Sequence, residues 1–315
     1  MQNTFDVALI GEYFFDMIYT GLPEFPVLGR EVYSQALTTT GGGMFITAAA
    51  LRRLDVRVGW PVTFGDDPYS RTVYAFAEGE GVDLALARVL ERPFRHVTTS
   101  INFGDERAFV SFADPDPDDL CAYRLRRLEE SDFAHLHFGG LIAPPDRPLL
   151  DLARARGVTV SMDCQDAAEL YTGCEWIDLL SKVDVFMPNA REAKLITRKD
   201  TVQEALKRLM RWVDTVIVKD GCHGAWAGRG GEVVYAPVCS TGTAIDTTGA
   251  GDCFNAGFLR GYVVERAPLD VCLQYGNICG ARSVTAVGGA TAAPTLDELR
   301  GWLDRCPAEA VDESD

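Results

Sequence analysis

Apolar positions along the chain fall into two alternating rhythms. Unbroken apolar runs that stop at glycine or a polar residue occur at FDVALIG (5–11), VRVGWPVTF (56–64), FAHLHFGG (133–140), GVTVSMD (157–163), VDVFMPN (183–189) and DTVIVKDG (214–221). Their lengths and abrupt ends predict buried strands. FITAAALRRL (45–54) and RTVYAFAEGEG (71–81) instead carry helical patterns. Repeated strand–helix units predict an α/β fold, with a mostly parallel sheet covered by helices on both faces. Residues 12–40 and 93–113 break the rhythm: neither carries a helix pattern, and both read as strands joined by hairpins, with GDER (104–107) as a turn. Antiparallel strands inserted in this way would form a small second sheet at the edge of the core. No internal repeat interrupts the chain. One domain over 1–306 is expected, with an acidic tail over 307–315 that holds four acids and no base.

The stretch AIDTTGAGDCFNAGFLRGY (244–262) stands apart, because Gly249, Ala250 and Gly251 lead straight into Asp252 and a helix-like run. A glycine-rich loop entering a helix offers amides without intrahelical acceptors at the positive end of the dipole, a natural place for an anion. Without side chains at 249 and 251, a phosphate can approach the backbone closely. Phe254, Phe258 and Tyr262 share one face, and Gly257 and Gly261 would allow close packing on a sheet. Neither common nucleotide fingerprint fits: G-x-x-x-x-G-K-[ST] is absent, and the third position of G-x-G-x-x-G is Phe254. An acid such as Asp252 complements the dipole of any helix. Beside a phosphate cradle it could also take the proton of an attacking hydroxyl, as phosphoryl transfer requires.

Composition narrows the partners. The 315 residues are 47% hydrophobic, enough for one large core. Thirty Lys and Arg against 46 Asp and Glu give a net charge of −16, which repels nucleic acid and anionic membranes and sets both aside as main partners. The opening MQNTFDVALIGEYFFD is no secretory signal, and no apolar run approaches membrane-spanning length. Nine cysteines without a C-x-x-C pair read as buried, reduced thiols of a cytoplasmic protein. His135 and His137 share one face of a predicted strand with no third ligand nearby, so they read as ordinary strand histidines rather than the start of a metal site.

DTTGAGDCFNAGF (246–258) resembles the C-terminal signature of the ribokinase-like (PfkB) family of carbohydrate and nucleoside kinases. The resemblance covers nearly the whole chain. ALIGEYFFDMI (8–18) is similar to the family's opening strand with its substrate-binding aspartate, and GGGMFITAAALRRLD (41–55) to the double-glycine loop and helix beneath the sugar. FGDDPYS (64–70), PNAREA (188–193), VIVKDGCHGAW (216–226) and YGNICGARSVTAVGGA (275–290) resemble, in order, the G-[DN]-D loop, the N-x-x-E motif, the strand and turn under the nucleotide, and the adenine-side helix and loop.

The resemblance implies a three-layer α/β/α sandwich with a small β-sheet lid, formed by the two non-helical stretches, that closes over the sugar and can serve as a homodimer interface. It implies ATP-dependent phosphorylation, with Asp252 as general base and Gly249, Ala250 and Gly251 as an anion hole. Asp16, Gly41, Gly42 and the position of Ile46 would meet the substrate. Lys219, Gly221, Gly224, Asn277, Gly289 and Ala290 would border ATP, and Asn189 and Glu192 would hold Mg²⁺ through waters. Asp246 and Thr248 match positions that in some members bind a monovalent cation such as K⁺.

The acceptor side departs from the family pattern. An asparagine that bonds a substrate hydroxyl is replaced by Ile46, unless a one-residue shift brings Thr47 there instead. Gln165 and Ala167 replace the amide and arginine of a D-x-N-x-R pattern seen in acid-sugar kinases, which weakens the case for a sugar acid. With Ile46 facing a substrate, ribose and fructose are expected to be poor acceptors, and a less hydroxylated sugar or a nucleoside better. Phe14, Phe15, Tyr33 and Phe45 could stack on a nucleoside base or simply pack. A relative that binds ligand without catalysis is a further alternative, disfavoured by the intact Asp252 and its loop.

Overall fold

The apolar runs form strands whose alternate residues feed two separate cores. In the computed structural model, which describes residues 3–103, 106–164 and 174–305, eight strands make the main sheet. Its order is Glu232–Ala236, Ala225–Arg229, Thr215–Lys219, Val185–Met187, Thr159–Asp163, Ser131–Phe138, Asn3–Ile10 and Val58–Gly59. The six from Thr215–Lys219 onward are parallel, and the first two form an antiparallel hairpin at one edge. Val7, Leu9, Val185 and Ile217 enter one core with Leu51, Phe258 and Leu273; Ala8, Ile10, Phe186 and Val218 enter the other with Leu149 and Leu206. This is the two-faced burial expected of a parallel sheet between helical layers.

Two local departures have simple causes. The run 56–64 is not one strand: Pro61, which lacks an amide proton, separates Val58–Gly59 in the main sheet from Thr63–Phe64, which pairs with Arg88–Val89. The helix expected over 71–81 begins three residues earlier, at Pro68, where the Asp67 carboxylate accepts from the amides of Tyr69 and Ser70.

The two non-helical stretches supply a separate four-stranded sheet in the order Ala36–Gly43, Tyr13–Thr20, His96–Phe103, Glu106–Ala113. Each stretch contributes an antiparallel pair, as expected, but the two pairs join along a parallel seam between Tyr13–Thr20 and His96–Phe103. The centre of the GDER turn, Gln165, Ala167 and the acidic tail lie outside the described residues.

Candidate active site

Gly249 opens the helix Ala250–Leu259 with φ 72°, in the left-handed region that favours glycine. A Cβ there would lie 2.8 Å from the Gly289 backbone and 2.9 Å from Ile46, so the loop is held tightly from behind. The helix's glycine face meets another helix rather than a sheet. A Cβ on Gly257 would strike the Tyr275 carbonyl, and Gly261 abuts Cys272, both on Leu269–Ser283. Two helices at that distance bury Phe254 against Gly276, which explains the apolar run after the acid.

Asp252 stands in the first turn, partly open to the cleft. Burial and the nearby Asp163 carboxylate push its pKa up to about 6, against the lowering pull of Lys219 and of a 3.1 Å hydrogen bond donated by the Thr47 hydroxyl. Thr47, the alternative to Ile46 for a substrate contact, here donates its hydroxyl to Asp252. Ile46 is almost fully buried and packs on Gly249 and Gly289. Asp16, on the strand Tyr13–Thr20 of the four-stranded sheet, is pushed up to about 7 by burial and by the Asp252 and Asp246 carboxylates. A side chain at position 42 would exclude it, because a Cβ on Gly42 would collide with the Asp16 carboxylate, and a Cβ on Gly41 would strike the Phe45 ring.

On the other side of Asp252 lies a cavity of about 580 Å³ at the C-terminal ends of the parallel strands, a size suited to a small-molecule cofactor. Asn189, Glu192, Lys219, Gly221, Gly224, Ala250, Gly251, Asp252 and Asn277 all line it. Lys219 ends its strand with Nζ 2.7 Å from Asp163 Oδ1 and 3.2 Å from Asn255 Oδ1, while Asn255 Nδ2 donates to Asp163 Oδ2 at 2.5 Å. No motif assigns Asp163 or Asn255 to this lysine, or Thr47 to Asp252. The signal was their polarity at a strand end and within otherwise apolar helices.

Asn189 and Glu192 form a capping box at the start of Ala190–Thr197. Asn189 Oδ1 accepts from the Glu192 amide at 2.9 Å, and Glu192 Oε2 accepts from the Asn189 amide at 2.8 Å. Burial raises the Glu192 pKa, while the bond from the Asn189 amide and the charge of Lys219 lower it. Asn277 donates to the carbonyls of Ala236 and Pro237 and so fixes the far wall. Gly289 and Ala290 sit behind the anion loop rather than on that wall: Gly289 meets Ile46 and Gly249, and the Ala290 carbonyl accepts from Arg53.

Asp246 and Thr248 come together, with the Thr248 amide and hydroxyl both donating to Asp246 Oδ1. Arg107, from the edge strand Glu106–Ala113 of the four-stranded sheet, reaches both residues. Three of the four aromatics considered for stacking are already packed, Phe14 on His96, Phe15 on Tyr69 and Phe45 on Phe76, and the Tyr33 hydroxyl donates to Glu31. His135 and His137 are buried and bond the hydroxyls of Thr159 and Ser161 across the strands. Among the described residues six cysteines are free thiols, but the partial burial of Cys121, the exposure of Cys222 and the disulfide bond of Cys239, the last two on the cavity wall, depart from uniformly buried, reduced thiols. Among the described residues no helix is long and apolar enough to cross a membrane.

A mostly parallel α/β sheet with a separate four-stranded sheet is the ribokinase-like fold. The chain belongs to the pfkB family of carbohydrate kinases, whose family model matches residues 6–296. It is 28% identical over 313 residues to an acarbose 7(IV)-phosphotransferase of Actinoplanes sp., covering 94% of this chain and 97% of that one. It is 26% identical over 294 residues to a fructokinase of Vibrio alginolyticus, covering 87% and 94%. The fold also matches Arabidopsis thaliana ribokinase complexed with ribose and ATP, with a TM-score of 0.79, 21% identity, and 95% and 99% of the two chains covered.

Proposed function

We propose that the chain transfers the γ-phosphoryl group of ATP to a hydroxyl of a sugar or sugar-like small molecule. Asp252 would take the hydroxyl proton, and the amides of Gly249, Ala250 and Gly251 would receive the charge that develops on the transferred group. The observation that carries this reading is Asp252 itself: a carboxylate with a pKa near 6, at the mouth of a cofactor-sized cavity and electrostatically coupled to Asp16 on the acceptor side. Such a base is ionised at neutral pH yet retains real affinity for a proton.

ATP would occupy the cavity between Lys219 and Asn277, with its phosphates toward Gly251, where a Cβ would lie 3.5 Å from Lys219 Nζ. The pairing of Lys219 with Asp163 and Asn255 holds the ammonium in place beside the loop. Glu192 and Asn189 offer hard oxygen donors on the same wall, a fit for hydrated Mg²⁺. When bound, that ion neutralises charge on the phosphates. The four-stranded sheet would act as a lid, with Asp16 positioning the acceptor hydroxyl and the sheet excluding water.

ATP consumption across a panel of sugars, polyols and nucleosides tests the reading. Acceptor-dependent ADP release with at least one compound, lost in Asp252→Asn, is the expected result. No acceptor-dependent release across the panel would overturn it.

A further inference from the structure

The pair matched to a monovalent cation already faces a cation of the chain's own. Arg107 leaves the lid strand Glu106–Ala113 and places Nη1 3.0 Å from Thr248 Oγ1 and 3.6 Å from Asp246 Oδ1. Asp246 is 3% exposed. Its Oδ1 accepts from the Thr248 amide at 3.0 Å and hydroxyl at 2.7 Å, and its Oδ2 accepts from the Gly288 amide at 3.0 Å. A carboxylate offers about four acceptor positions. Three are filled by local donors, two of them on Oδ1, and the guanidinium stands beside Oδ1 as an ion pair while its hydrogen bond goes to Thr248 Oγ1. An alkali ion competing for those oxygens would meet a resident positive charge.

We propose that Arg107 is a built-in substitute for the monovalent cation. It neutralises Asp246 and fixes Thr248, the residue directly before Gly249, so the anion loop keeps its shape without K⁺. Arg107 is thus a positioning residue, acting on the reaction through Asp246 and Thr248. Because the lid carries the charge, its delivery depends on the lid lying over the cleft. A free ion could settle before any acceptor arrives; a guanidinium on the lid couples loop order to closure. The activity consequence rests on the kinase reading above.

Turnover is compared in choline chloride and potassium chloride at equal ionic strength, for wild type, Arg107→Ala and Arg107→Lys. Wild type should agree within about twofold between the salts, and Arg107→Ala should fall roughly tenfold in choline and recover partly in K⁺, the scale of losing one charge beside a phosphoryl site. Arg107→Lys should lie between them. Stimulation of wild type beyond about twofold, or an alanine variant as fast as wild type in choline, would overturn the proposal.

Melting temperature supplies a readout that needs no acceptor. K⁺ should stabilise Arg107→Ala, whose site it can enter, and leave wild type unchanged relative to choline. Equal K⁺ stabilisation of both proteins would overturn the proposal. If the alanine variant does not fold, Arg107→Gln removes the charge while keeping a donor to Thr248, and the same comparison applies. Failure of every acceptor would sink the kinase reading, while the melting comparison still decides the role of Arg107.

Discussion

Thr47→Val isolates the electrostatics of Asp252. Valine keeps the shape of threonine and removes only the hydroxyl that donates to Asp252 Oδ1 at 3.1 Å. A hydrogen bond to a charged group contributes about 1.5–3 kcal/mol, and one pKa unit corresponds to about 1.4 kcal/mol. At 3.1 Å the low end applies, so the variant's carboxyl should rise by roughly one unit, from about 6 to roughly 7. In the proposed role as base, Asp252 works only when ionised. Activity is therefore present above its pKa and lost as pH falls through it. In kcat/KM, which reports the free enzyme, the acid limb should lie near pH 6 for wild type and near pH 7 for Thr47→Val. At pH 7 wild type is then about nine-tenths ionised and the variant about half, so the two should differ roughly twofold there and converge at higher pH. Asp252→Asn should fall about 10²-fold without an acid limb of this origin. Superposable profiles for wild type and Thr47→Val, or a wild-type limb at ordinary carboxylate pH, would refute the assignment of base and donor.

Glu192→Gln should raise the Mg²⁺ concentration for half-maximal rate while leaving the melting temperature nearly unchanged, because glutamine can still close the capping box; an unaltered Mg²⁺ titration would leave Glu192 as a cap alone. Ile46→Asn should destabilise by about 1–3 kcal/mol in urea, since it buries an amide against Gly249 and Gly289, and should not widen the acceptor range. A folded variant with new activity on ribose would show that position 46 faces the substrate. Arg53 donates to the carbonyls of Ala290, Thr291 and Ala293 and pairs with Glu80. Arg53→Met should therefore cost about 1–3 kcal/mol and weaken turnover by loosening the turn behind Gly249; unchanged urea unfolding would remove that staple.

Sequence was most informative where one segment carries its own instruction. The βα rhythm, the second sheet and the loop at 249–251 all follow from local pattern: apolar runs, missing helix periodicity, and glycine before a helix. It was least informative where chains meet. VRVGWPVTF has strand composition throughout, yet Pro61 divides it between two sheets. The hairpin Ala225–Arg229 and Glu232–Ala236 turns through Gly230 and Gly231 at positive φ, a signal present in the sequence beside the glycines Gly221 and Gly224 of the preceding turn. Glu192 illustrates a shared signature, because N-x-x-E is both a metal-site motif and a capping box, and local spacing serves either. Lys219 with Asp163 and Asn255, or Arg107 with Asp246, are pairings across the fold that no spacing rule encodes.

The parallel seam of the second sheet has a consequence for how the protein acquires its shape. Phe15 pairs with Val97 and Tyr19 with Ile101, so the intervening chain must travel through the main body before the seam can close. Each hairpin alone has only two strands, too few to persist in water. Contacts of such sequence separation are entropically slow to form. The sheet over the cleft should therefore complete late in folding, after the first strand–helix units have docked. In native-state hydrogen exchange, amides of Tyr13–Thr20 and His96–Phe103 should open together, at a lower free energy than those of Thr159–Asp163 in the centre of the main sheet. Separate exchange of the two hairpins would mean that each finds its support in the body of the protein and not in the other.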